Sequence, residues 1–224
     1  MDLQNFEESI KFKFKDKELL KNALTHTSYA YENKINSNEK LEFLGDAVLE
    51  FVVSSFLFKN YTKLSEGEMT KVRASVVCEK SLHEIAIKHN FGDFLFLGKS
   101  EVINGGKTRA AILADAVEAV IGGIYLDTGI LEAEKFIIEN LKDKVKEASI
   151  LCGQKDYKTV FQEKKQVNGD VSIEYTVIKE EGPDHNKRFT VLLKLNGKEM
   201  AIGERKNKKR SRNASSKDSI RKIM

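Results

Sequence analysis

The sequence predicts an all-α N-terminal domain joined to a small α+β domain whose element order is helix, three strands, helix (α-β-β-β-α). Three observations carry that prediction. From residue 1 to 148 apolar side chains recur at three- and four-residue steps, the period of a half-buried helix. Beyond residue 170 the step shortens to two, the period of a strand. The charge also changes sign: residues 1–150 hold 20 Lys and Arg against 24 Asp and Glu, whereas residues 151–224 hold 18 against 10. The formal net charge of +4 over 224 residues therefore conceals an acidic body and a basic module suited to a polyanion.

Within the first stretch, Leu41, Leu44, Val48 and Val52 mark one helix, and Ile112, Ala116, Ala119 and Gly123 mark another. The chain's one proline is Pro183, so helix ends here come from polar and glycine segments, expected at 33–37, 62–67, 98–106 and 127–129. The uncharged segment 148–154, rich in small residues, sits where the charge balance reverses. Its composition predicts domains at 1–148 and 155–224 with a linker at 149–154.

In the second stretch, residues 156–166 read as a helix. Val171, Ile173, Tyr175 and Val177 alternate with polar neighbours and read as a strand. Residues 189–195 and 198–203 read as two more strands joined by Asn196-Gly197, a pair that accepts the positive φ of a tight hairpin. A last helix is expected from about residue 208.

Several classes are excluded. The longest run without Asp, Glu, Lys or Arg is 22–31, which is rich in Asn, Thr, His and Ser, while a membrane span needs about 20 mostly apolar residues. The opening MDLQNFEESI has neither a basic start nor an apolar run, so no secretory signal is expected. Two distant cysteines, Cys78 and Cys152, make no disulfide framework and fit a cytoplasmic protein. The four histidines form no H-x-x-x-H pair, which argues against a histidine-based zinc hydrolase.

The chemistry concentrates in carboxylates. Glu39, Glu42 and Asp46, spaced i, i+3, i+7, line one face of a helix that is otherwise strongly apolar. Gly45 in its middle is a poor helix former and implies a close neighbour. In a second, nearly uncharged helix Asp115 and Glu118 stand at i, i+3. Acids at that spacing are usually a solvated face. Among apolar residues, however, unpaired carboxylates are costly unless a cation sits between them. Facing each other, Glu42, Asp46, Asp115 and Glu118 would offer oxygen ligands to a hard ion such as Mg²⁺ or Mn²⁺, able to act on a phosphoryl group.

The segment Glu39-Lys-Leu-Glu-Phe-Leu-Gly-Asp-Ala-Val-Leu49 resembles the signature of the ribonuclease III family. So do Ser65-Glu-Gly-Glu-Met-Thr-Lys-Val-Arg-Ala-Ser75, Leu97-Gly-Lys-Ser-Glu101 and Leu113-Ala-Asp-Ala-Val-Glu-Ala-Val-Ile-Gly-Gly123, in the right order along essentially the whole chain. The resemblance implies a Mg²⁺-dependent endonuclease that cleaves double-stranded RNA to 5′-phosphate and 3′-hydroxyl ends. It implies Glu42, Asp46, Asp115 and Glu118 as metal ligands, with Asp46 and Glu118 catalytic and Glu39 and Glu66 further acids near the cleavage site. It also implies a cytoplasmic homodimer that processes ribosomal RNA precursors and some messenger and transfer RNAs. The apolar segment 51–58 is either core or the face of that dimer.

The basic module resembles a double-stranded-RNA-binding domain, which reads A-form shape rather than base sequence. By motif match, Thr159, Gln162, Glu163 and Gln166 would face a minor groove, His185 in Gly182-Pro-Asp-His185 would enter the next, and Lys206, Lys208 and Lys209 would meet phosphates. The module departs from the family pattern at Arg205, where glycine is usual, at Ser211, Ser215 and Ser216, where alanine is usual, and at Ser219, where an apolar residue is usual. Two other readings remain open: a regulator that binds duplex RNA without cutting it, and a metal hydrolase of another phosphoester.

Overall fold

A computed structural model describes the protein at residues 3–153, 172–182 and 188–205. These fall into two compact units, residues 1–153 and 154–224. The first is all-α: α1 (Leu3–Ile10), α2 (Lys17–Ala23), α3 (Thr27–Asn33), α4 (Glu39–Asn60), α5 (Glu66–Val76), α6 (Glu79–Lys88), α7 (Phe91–Phe94), α8 (Lys99–Ile103), a 3-10 turn at Gly106–Thr108, α9 (Ala110–Thr128) and α10 (Ile130–Gly153).

Helix α9 is the axle of this unit. Between residues 112 and 124 every residue except Asp115 and Glu118 is buried. Such a helix is stable only when other helices surround it, and α4, α6, α10 and α2 pack around it. Each fully buried Leu, Ile or Val contributes about 1.5–3 kcal/mol relative to solvent. The tightest packing is between α4 and α9. A Cβ added at Gly45 would overlap the Glu118 carbonyl oxygen, and one added at Gly122 would overlap that of Leu41. Glycine at both positions lets the two backbones touch, which explains its presence in mid-helix despite a propensity cost of about 1 kcal/mol.

The helix starts follow capping chemistry. Asp16 accepts from the backbone N–H groups of Glu18 and Leu19 at the start of α2. Ser65 and Glu68 form a reciprocal capping box at the start of α5. Helix α9 ends at Gly129, whose φ of 91° suits glycine.

Two segments expected to interrupt the helices contain helix instead. Segment 98–106, expected as a break, contains α8. The segment expected as a linker is helical up to Gly153, because α10 continues through it. The reason is packing: Ser149 is buried, and Ala148 and Cys152 rest against the core at helical spacing. Loss of charge alone does not end a helix.

The second unit contains an antiparallel sheet of order β1-β2-β3, with β1 (Ile173–Glu181), β2 (Arg188–Leu195) and β3 (Lys198–Arg205). Leu195 pairs with Lys198, and the intervening Asn196 and Gly197 have φ of 48° and 76°, the positive values expected of a tight hairpin. Val191 pairs with Val177 and Leu193 with both Tyr175 and Ala201, so these residues share one face, on which Val191, Leu193 and Ala201 are buried. A bulge between Val177 and Lys179 breaks the alternation late in β1. The helices expected at 156–166 and from 208 onward lie outside the described residues.

Candidate active site and metal centre

The α4–α9 contact aligns two acidic faces. Carboxylate oxygens of Glu42, Asp115 and Glu118 all lie within 4.8 Å of one another, and all three residues are half-buried. Asp46 is exposed, one turn further along α4. Its charge is nonetheless the largest electrostatic influence on Glu118. Glu39 begins α4, acts on Glu42, and accepts a hydrogen bond from Ser37 Oγ at 2.8 Å.

These acids raise each other's proton affinity in a consistent direction. Burial, followed by the charges of Asp46, Glu42 and Asp115, pushes the Glu118 carboxyl from its usual 4.5 up to about 8. Burial and the same repulsion, with Asp115 foremost, hold Glu42 up. Burial also raises Asp115, helped by Glu79 and opposed by His26. The donor set is all oxygen, its members converge, and among the described residues the charges that act on Glu42 and Glu118 are all acidic. That arrangement fits a hard divalent cation.

Glu66 is placed elsewhere in the unit. It begins α5, accepts a hydrogen bond from Thr70 Oγ1 at 3.2 Å, and lines a groove of about 470 Å³ with Phe51, Phe58, Met69 and Arg73. The proposed RNA contacts Thr159, Gln162, Glu163, Gln166, His185, Lys206, Lys208 and Lys209 lie outside the described residues. The structure adds residues that spacing does not reveal. His26 and Glu79 act on Asp115 from the loop before α3 and from the start of α6. Arg109, just before α9, pairs with Glu101 at 2.6 Å. None has a periodic relation to the acids of α4 or α9, so no helical pattern points to them.

Residues 16–145 match the family model described as Ribonuclease-III-like, and residues 157–223 match the double-stranded RNA binding motif. The chain is 42% identical to "Ribonuclease 3" of Clostridium kluyveri over 98% of this chain and 91% of that relative. It is 43% identical to "Ribonuclease 3" of Caldanaerobacter subterraneus over 99% and 98% respectively. Its fold is similar to the nuclease domain of ribonuclease III from Campylobacter jejuni, with a TM-score of 0.61 at 43% identity, covering 64% of this chain and 98% of that one. A helical domain with a converging acid cluster, followed by a duplex-RNA-binding motif, defines a nuclease that engages double-stranded RNA. The chain belongs to the ribonuclease III family. It is an endoribonuclease, and double-stranded RNA is its partner.

Proposed function

We propose that the protein is a Mg²⁺-dependent endonuclease that hydrolyses phosphodiester bonds in double-stranded RNA, leaving 5′-phosphate and 3′-hydroxyl ends. The observation that carries this reading is the convergence of Glu42, Asp115 and Glu118 across the α4–α9 contact in a chain that also carries a duplex-RNA-binding motif. Glu42, Asp46, Asp115 and Glu118 would hold the cation. When bound, Mg²⁺ supplies an acidic water and neutralises charge on the phosphoryl group. The chain's own residues prepare the site. Glu118 holds a proton near neutral pH when its neighbours are uncompensated, and gives it up when a cation replaces it. The α4–α9 contact fixes the spacing of the ligands and keeps them partly dry. Asp46 and Glu39, both exposed, stand at the rim, where a phosphate backbone approaches. In the hydrolysis, water oxygen bonds to phosphorus, the bond from phosphorus to the 3′-oxygen breaks, and that oxygen takes a proton.

The active form in this reading is a homodimer. Phe43, Phe51 and Phe58 fall on one face of α4 and are 80%, 62% and 73% exposed, a stripe of aromatic surface that a second copy would cover. Glu66 lines the groove beside this stripe and would take part in cleavage through the dimer. The substrates would be ribosomal RNA precursors with some messenger and transfer RNAs. Cys78 and Cys152 are free thiols, in keeping with the reducing cytoplasm.

Incubating the full chain with a long RNA duplex, with and without Mg²⁺, and mapping the product ends tests the reading. Cleavage with Mg²⁺ to 5′-phosphate ends, lost in Glu118→Ala while duplex binding persists, is the expected result. Binding without cleavage under every divalent ion would replace it with that of a non-cutting regulator.

A further inference from the structure

Helices α2 and α4 meet α9 at adjacent residues. A Cβ added at Gly122 would overlap the Leu41 carbonyl of α4, and one added at Gly123 would lie 3.7 Å from the Ala23 Cβ of α2. Asn22, the neighbour of Ala23, ties these two helices together. Its half-buried side-chain Nδ2 lies 3.0 Å from the Asn36 carbonyl oxygen and 3.1 Å from that of Ser37. Carbonyls only accept, so the amide NH₂ group is the donor to both and the orientation of the side chain is fixed. Next to this tether the Asn38 N–H donates to the carbonyl of buried Thr25 at 2.8 Å. The Asn38 carbonyl then accepts from the Leu41 and Glu42 N–H groups, 2.9 Å each, which opens α4. Ser37 Oγ holds the Glu39 carboxylate at 2.8 Å. Asn38 supplies no side-chain cap to α4. The first turn of the helix, where backbone N–H groups lack intrahelical partners, therefore leans on what α2 provides.

We propose that Asn22 is a positioning residue of the carboxylate site: its side-chain amide clamps the 36–37 backbone to α2 and so sets where α4 begins and how Glu39 and Glu42 face Asp115 and Glu118. The role rests on the carboxylate metal site proposed above. Asn22 touches neither a ligand nor substrate and acts through the backbone alone. Because α2 is seated on α9, the clamp refers the start of α4 to the helix that carries the opposing acids. The backbone contact at Gly45 fixes the middle of α4, whereas Glu39 and Glu42 lie in its first turn, nearer the clamp. The tolerance is small, since the oxygens of Glu42, Asp115 and Glu118 all lie within 4.8 Å of one another. Groups that hold a metal ligand in place from outside tune metal affinity by about 10–100-fold.

Three variants of the full chain separate positioning from plain stability. Asn22→Ala removes the donor, and Asn22→Asp keeps the shape while offering the two carbonyls only acceptors. Asp16→Ala is the control: it removes the N-cap of the same helix, leaves the clamp in place, and should lower the melting temperature by about 2–4 °C. Each chain is titrated with Mn²⁺ by calorimetry and melted in parallel, and backbone amide exchange is followed at residues 36–42. Both Asn22 variants are expected to bind Mn²⁺ about tenfold more weakly and to exchange faster at Asn38, Leu41 and Glu42. Asp16→Ala should match the wild type in both respects despite its lower melting temperature. Wild-type Mn²⁺ affinity in either Asn22 variant, or an equal loss in Asp16→Ala, overturns the role. So does loss of cooperative melting in both Asn22 variants, which would make the residue a support of the whole unit. Failure of the metal reading looks different: there the wild-type chain itself takes up no Mn²⁺, and the role falls with it. A chain with an Asn22-sensitive Mn²⁺ site that leaves duplex RNA intact would retire the nuclease reading and keep the positioning role.

Discussion

Glu118 combines burial with three acidic neighbours, and its carboxyl is pushed from 4.5 up to about 8 in consequence. The sign of the linked stability change follows directly. Between those two pH values the folded chain holds a proton at Glu118 that the unfolded chain has released. Folding is therefore favoured at the acidic end and weakened as pH rises toward about 8. Without divalent ions, the melting temperature should fall across that interval, and Glu118→Gln should flatten the slope and abolish cleavage. Adding Mg²⁺ should raise the melting temperature most at the alkaline end, where proton and metal no longer compete. Calorimetric scans at several pH values check this; a slope unchanged in Glu118→Gln would mean that another group controls it.

At the scale of the element, the site depends on two helices whose backbones touch. The overlap at Gly45 is with a carbonyl of α9, which cannot rotate aside as a side chain could. Gly45→Ala should force α4 and α9 apart, destabilise the unit by about 1–3 kcal/mol in denaturant titration, and reduce cleavage further than the stability loss accounts for, because Glu118 moves with its carbonyl. An unchanged unfolding midpoint would show that the helices separate freely. The helical pattern of α4 and α9 and the suspicion of a close neighbour at Gly45 were legible from residue spacing. The identity of that neighbour was not, since it lies about 70 positions away in sequence and no local periodicity carries that information. Nor could composition locate the end of α10: the uncharged segment at 148–153 stays helical because its small side chains pack against the core.

Across the whole molecule, the acidic body and the basic module divide the work. The body carries the acid cluster and an exposed aromatic stripe, while the motif at 157–223 gives access to duplex RNA that an acidic surface by itself repels. Among the described residues no helix is long and apolar enough to cross a membrane. In the proposed dimer a second copy covers the stripe, so Phe51→Asp should yield a monomer by sedimentation with strongly reduced cleavage of long duplexes, since a charge buried in a dimer face is poorly tolerated. A dimer that persists in Phe51→Asp would place the interface elsewhere.

By itself the sequence determined the two fold classes, the hairpin at Asn196-Gly197, the acids worth considering and the family. Each of these is written in local spacing or in contiguous motifs. Only the tertiary structure decided which acids converge. Glu42, Asp115 and Glu118 meet while Glu66 lines a separate groove. The physical reason is that helical periodicity says which side chains share a face, whereas the partner of that face is chosen by the packing of distant segments, here by two glycines that let α4 and α9 meet backbone to backbone.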